Sequence, residues 1–274
     1  MARRNEESGV AVSLLEQILA SKHAEIAAQR ARTSPSRSER ENVDPIAALA
    51  RRAGQPLHLV AEVKFKSPSA GELSKRLDAG ARTIAYARAG AAMVSVLCDA
   101  SFFGGGFSDL RAARASLDAA KLRLPLLAKE FVLDEVQLDL AAEHGADAVL
   151  LIARIVSPAV LAKLATAARA RGLEPLIEVL DDNELAVAVA CDARLIGVNA
   201  RDLDTLAIDT DRAARILAAI PKGHTAIHLS GIKSAESVGL VARGRADAAL
   251  LGEALMRKDD PEPLLRELVA AATP

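Results

Sequence analysis

Aromatic residues are almost missing from this chain. It has no tryptophan and one tyrosine among 274 residues, and Phe, Trp and Tyr together make up 2%. A core for a chain of this length must therefore come from Ala, Leu, Val and Ile, a composition that suits strands covered by alanine-rich helices. Only two cysteines occur, Cys98 and Cys191, without CxxC spacing. They exclude a disulfide scaffold and read as reduced thiols. The five histidines are dispersed, with no HxH or HExxH pair, so no metal site is expected. No apolar run approaches the length of a membrane span, and the opening MARRNEESGV lacks the apolar stretch of a secretory signal. The net charge of -1 provides no field that would draw nucleic acid or an anionic membrane, and no basic stripe occurs outside the arginines at 30 to 40. These absences predict a cytoplasmic chain that binds neither nucleic acid nor membrane.

What the chain does contain is a rhythm. Short apolar runs begin near His58, Ala92, Leu124, Asp147, Glu174, Arg194, Thr225 and Asp247, eight in all. Alanine-rich amphipathic stretches alternate with them at 75–89, 107–120, 134–144, 158–171, 181–190, 209–219, 234–243 and 260–272. This alternation predicts parallel strands joined by crossover helices, an α/β protein of the (β/α)8 TIM-barrel class. A doubly wound open sheet usually carries a GxGxxG turn after its first strand, and that motif is absent. The segments GAAMVSVL, GADAVLLI, CDARLIGV and RADAALLG echo one another, as a shared helix-to-strand turn or an ancestral duplication would produce. Ahead of the barrel, Leu14, Leu15, Ile18, Leu19 and Ile26 recur at helical spacing within 12–30. A polar segment at 31–43 reads as a mobile loop. Asp44 and Pro45 start a short helix that should stop near Gly54. The expected organisation is an N-terminal helical extension over 1–56 and a barrel over 57–274.

In such a barrel the C-terminal strand ends face the active site. Glu62 and Lys64 close the first strand, Lys129 the third, Glu178 the fifth, and Asn199, followed by Arg201, the sixth. Side chains two apart on a strand share a face, so Glu62 and Lys64 both point into the mouth. Unpaired there, each charge would be strongly disfavoured. Paired with each other and with Lys129 or Glu178, they form a charged constellation, either catalytic or a buried ion-pair cluster without chemistry. SGI after the seventh strand and GEA after the eighth place Ser230, Gly231, Gly252 and Glu253 where barrels commonly hold a phosphate. The segment 65–76 has the character of a lid.

The motifs AEVKFKSPSAG, SVLCDASFFGG, LLAKEFVLDEVQ, PLIEV, IGVNARDL, LSGI and LLGEALM follow one another in the order found in indole-3-glycerol phosphate synthases, and the chain resembles that family from about Leu14 to its end. The resemblance implies ring closure of 1-(2-carboxyphenylamino)-1-deoxyribulose 5-phosphate to indole-3-glycerol phosphate, with loss of carbon dioxide and water, in tryptophan biosynthesis. It implies no cofactor and no metal. The partner is then a small sugar phosphate bearing an anthranilate moiety, acted on by a monomer or weak homodimer. By resemblance Lys129 is the general acid and Lys64 contacts the substrate carboxylate. Glu178 is the general base or its assistant in the second step, and Glu62 and Asn199 orient substrate and lysines. Which lysine serves each proton transfer stays open. Ser67, Ser230, Gly231, Gly252 and the Glu253 backbone match the phosphate side. Arg201, Phe103 and Phe131 match the anthranilate side.

Three positions depart from the family pattern. Residues 228–231 read HLSG where Ala-Glu-Ser-Gly is usual, so Leu229 replaces a glutamate. His228 is then either a packed histidine or a substitute polar contact. Phe65 stands where arginine is usual and should face the covering helices. Cys98 stands where threonine is common. Two rival readings follow: a barrel acting on a different sugar phosphate, and a catalytically impaired phosphate-binding barrel with a binding or assembly role.

Overall fold

The computed structural model describes residues 13–30 and 42–273. The predicted mobile loop at 31–43 lies almost wholly outside the described residues, as do the opening decapeptide and all but the first of the arginines at 30 to 40. Helix α1 (Leu14–Arg30) and the short α2 (Pro45–Leu49) come first. Then follow β1 (His58–Val63), a small hairpin of β2 (Lys66–Ser67) and β3 (Gly71–Glu72), and α3 (Ala79–Ala89). The chain continues through β4 (Met93–Leu97), α4 (Ala100–Phe103), α5 (Phe107–Ala119), β5 (Leu126–Lys129), α6 (Glu135–Glu143), β6 (Ala148–Ile152), α7 (Pro158–Ala170) and β7 (Glu174–Val179). It ends with α8 (Asp182–Ala190), β8 (Leu195–Asn199), α9 (Thr210–Ala219), β9 (Thr225–Leu229), α10 (Ala235–Ala242), β10 (Ala248–Leu251), α11 (Glu253–Met256) and α12 (Glu262–Ala270).

Strands β1, β10, β9, β8, β7, β6, β5 and β4 pair in that order, all in parallel, and β4 returns to β1 to close the barrel. The predicted (β/α)8 architecture is therefore the observed one. Two apolar layers follow from strand alternation. Outward residues such as Ala61, Val94, Ala128, Ile177 and Val198 pack beneath the helices. Inward residues such as Val60, Met93, Leu127, Leu150, Leu176, Leu195, Ile227 and Leu250 fill the barrel, joined by Leu15 and Ile18 of α1 and Leu49 of α2.

Two of the four echoing segments, GADAVLLI and RADAALLG, share an aspartate contact. Asp147, just before β6, accepts the Leu126 N–H of the preceding strand at 2.9 Å. Asp247, just before β10, accepts the Ala226 N–H in the same way at 2.7 Å. Each aspartate satisfies a backbone donor at the lower rim of the barrel that no ladder partner reaches.

The structure corrects two predicted boundaries. Helix α2 ends at Leu49, well before Gly54, because Ala50 is extended and Arg51 instead bonds the carbonyls of Gln55, Ala242 and Ala246. Helix α3 starts at Ala79, later than residue 75, because Asp78 caps it by accepting the Ala81 N–H. The single-turn helices α4 and α11 are too short for a hydrophobic period to reveal.

Candidate active site

At the C-terminal end of the barrel, one pocket is lined by Glu62, Lys64, Ser67, Phe103, Lys129, Phe131, Glu178, Asn199, Arg201, Ser230, Gly231, Gly252 and Glu253. Every residue singled out from the sequence thus meets in one place, although those residues come from seven different strand ends and the turns after them.

The charged floor has two unequal halves. Glu62 and Lys64 form a tight pair, Nζ to Oε1 2.6 Å, with Glu62 only 3% exposed. Tyr86 of α3 donates its hydroxyl to the Glu62 carbonyl at 3.2 Å and so anchors the strand end from behind. Gly252 leaves the space into which the Glu62 carboxylate fits, since a Cβ at residue 252 would overlap it. On the other side, Asn199 Nδ2 donates to Glu178 Oε1 at 2.9 Å, and Asn199 Oδ1 accepts the Arg201 N–H at 3.0 Å. These two bonds orient both side chains. Glu178 Oε2 keeps no hydrogen-bond partner among the described residues. Lys129 Nζ stands 3.9 Å from it, an ion pair too long for a hydrogen bond. Lys64 is therefore hydrogen-bonded to a carboxylate, while Lys129, which lines the pocket, makes no side-chain hydrogen bond among the described residues.

Two ends flank this floor. Phe103 and Phe131 form an apolar wall, their ring centroids 6.0 Å apart. Leu14, Leu15 and Ile18 of α1 complete it, together with Leu203. These residues were visible in the sequence as a helical stripe, but nothing local said which surface the stripe covers. At the opposite end Ser230 and Gly231 both have positive φ, 66° and 84°. Both residues line the pocket there. Lys233 also lines this end, a cation that the sequence reading passed over. The Glu253 carboxylate accepts from Arg257 at 2.8 Å, which holds its pKa below the ordinary range. Ser67 is buried on the hairpin and accepts the Ala70 N–H at 3.0 Å. Arg201 lines the pocket while its guanidinium donates to the Leu206 carbonyl at 3.0 Å.

The departures from the family pattern separate by strand parity. Leu229 points inward and lines the pocket. His228 points outward and is buried there, where desolvation lowers its pKa against the opposing Ser230 backbone. It is not among the residues that line the pocket. Phe65 packs in the outer layer, as its parity requires. Cys98 is also buried in that layer, and burial pushes its thiol well above the ordinary value, a setting for an inert thiol.

A closed parallel barrel with a lysine- and carboxylate-lined pocket at its C-terminal mouth defines an enzyme of the (β/α)8 class. Its likeness to solved structures includes 3-hexulose-6-phosphate synthase from Salmonella typhimurium, with a TM-score of 0.57, 15% identity and 78% of this chain and 98% of that one covered, which speaks for the fold alone. The family model described as indole-3-glycerol phosphate synthase matches residues 15–268. The indole-3-glycerol phosphate synthase of Parafrankia sp. is 37% identical, covering 96% of this chain and 97% of the relative. That of Nocardioides sp. is 39% identical, covering 95% of each. The chain belongs to the indole-3-glycerol phosphate synthase family.

Proposed function

We propose that the pocket carries out the family's reaction, closing 1-(2-carboxyphenylamino)-1-deoxyribulose 5-phosphate to indole-3-glycerol phosphate with release of one carbon dioxide and one water. The observation that supports this most directly is the unequal pair of lysines. Lys129 lines the pocket with no side-chain hydrogen bond among the described residues, only a 3.9 Å ion pair to Glu178, whereas Lys64 is neutralised by Glu62 at 2.6 Å. The phosphate sits at the Ser230–Gly231 and Gly252 rim, and the anthranilate ring lies against Phe103 and Phe131. Bound at both ends, the substrate is bent so that the aryl carbon bearing the carboxylate meets the sugar carbonyl carbon. That positioning supplies a large part of the rate.

In the first step Lys129 donates a proton to the carbonyl oxygen as the aryl carbon attacks its carbon, so that no free oxyanion forms. Loss of carbon dioxide from the same aryl carbon returns an electron pair to the ring and restores aromaticity. In the second step the new hydroxyl leaves as water, taking a proton from a lysine. A proton departs from the neighbouring carbon to Glu178, whose Oε2 is unpartnered. Asn199 keeps the other Glu178 oxygen occupied and so directs the basic one into the pocket. Lys64, held by Glu62, serves the substrate carboxylate and, after decarboxylation, the departing hydroxyl.

The test is turnover of this substrate followed by indole fluorescence, with Lys129→Ala in parallel. Fluorescence that grows with the native chain and is lost with the variant supports the reading. A folded native chain that produces no signal at any substrate concentration overturns it, and turns attention to Leu229 and the impaired-barrel alternative.

A further inference from the structure

Helix α1 carries a lysine where its apolar stripe should be unbroken. Lys22 is fully buried, at 0% exposure. Its ammonium lies 2.8 Å from Asp99 Oδ2, 3.1 Å from Glu130 Oε2 and 2.7 Å from Glu25 Oε2. Burial opposes its charge, yet these carboxylates raise its pKa above the ordinary lysine value.

The two barrel carboxylates are used in the same way. Asp99 gives Oδ2 to Lys22 and with Oδ1 accepts the N–H groups of Phe102 and Phe103, at 2.7 and 3.2 Å. Glu130 holds Lys22 with both oxygens, each 3.1 Å from its nitrogen, and Oε1 also accepts the Phe131 N–H at 2.7 Å. Each carboxylate thus links one ammonium to the backbone of one pocket phenylalanine. Glu130 is also the neighbour of Lys129. Through a single nitrogen, α1, the Phe103 turn and the Lys129–Phe131 strand end are locked in one arrangement. A buried ion cluster contributes little net stability compared with apolar packing of similar volume, so the convergence of three carboxylates on one nitrogen argues for an arrangement being specified.

We propose that Lys22 is a positioning residue for the aromatic end of the active site, setting Phe103 and Phe131 through Asp99 and Glu130 and seating α1 over them. This rests on the reading above that the anthranilate ring binds at that end. No contact between Lys22 and substrate is involved.

The test uses the full chain, with turnover of the native protein established first. Lys22→Met keeps the length of the side chain and removes the charge. Because it also strands two buried carboxylates, the double variant Lys22→Met/Glu130→Gln is made alongside it to recover stability. Inhibition by anthranilate and by inorganic phosphate is measured for each folded protein. The expected result for the double variant is weaker inhibition by anthranilate and a raised KM, each by about tenfold, on the order of a single well-placed contact. Inhibition by inorganic phosphate should not change. Native values for both inhibitors in the folded double variant overturn the proposal and leave Lys22 a purely structural residue. Equal weakening of both overturns it too, since that is general loosening. Absence of turnover by the native chain defeats the functional reading itself, a result separate from any comparison of variants.

Discussion

Leu229 occupies space that Gly197 leaves open on the adjacent strand: a Cβ at residue 197 would lie 2.6 Å from Leu229 Cδ1 and 3.3 Å from Leu176 Cδ1. The leucine therefore stands as a packed part of the barrel interior at the level of the active site. It forms an apolar plug beside Asn199, its register partner in β8. The catalytic floor is left with two carboxylates, Glu62 and Glu178, facing two lysines.

Gly197→Ala should therefore overpack the barrel. The expected loss is about 1–3 kcal/mol in urea unfolding. Adding Leu229→Ala should relieve the clash, so the double-mutant cycle gives a coupling energy of opposite sign to the single loss. Additive losses would mean that the two side chains do not compete for one space.

Gly252→Ala acts on chemistry more than on folding. The added methyl displaces the Glu62 carboxylate and with it the Lys64 pair. A shift of that size at a reacting centre costs on the order of 100-fold in rate. We expect kcat to fall by about that factor, with the circular dichroism spectrum unchanged.

Glu178→Gln keeps an acceptor for Asn199 and removes the basic oxygen. The expected fall in kcat is on the order of 100- to 10,000-fold, as for loss of a general base. A variant that turns over at the native rate would remove Glu178 from the proton transfers.

Two buried groups set opposite pH dependences of stability. Burial lifts Glu130 from 4.5 to about 7, against the pull of Lys22 and the Phe131 N–H. Between those values the folded chain holds a proton that the unfolded chain has released, so stability falls as pH rises from 4.5 to about 7 and is level above. His228 behaves in reverse. Its folded pKa lies below 6.5, so the unfolded chain takes up a proton that the folded chain refuses. Its contribution is full above pH 6.5 and is lost as pH falls, and half-buried His58 acts in the same direction. Urea midpoints measured across this range should lose the falling limb in Glu130→Gln and part of the acid limb in His228→Gln.

Much of this protein was legible in one dimension. Strand alternation has a period of two, and it alone put Glu62 and Lys64 on one face and sent Phe65 to the other. Eight repeats of strand and helix left few topologies for the chain to adopt, because parallel strands need crossover helices. The glycines after the last two barrel strands marked part of the pocket lining for a similar local reason. Boundaries were less legible where a cap outweighed periodicity, as Asp78 does for α3. Other features depend on contacts that only closure of the barrel creates. That Lys129 stands only at ion-pair distance from Glu178 is decided by the distance between strands, not by spacing along one of them. The room for Glu62 and for Leu229 is granted by glycines on other strands. Most of all, Lys22 meets Glu130 across 108 residues of sequence, and no periodicity within α1 could announce that its one buried charge would find its partners behind the two phenylalanines of the active site.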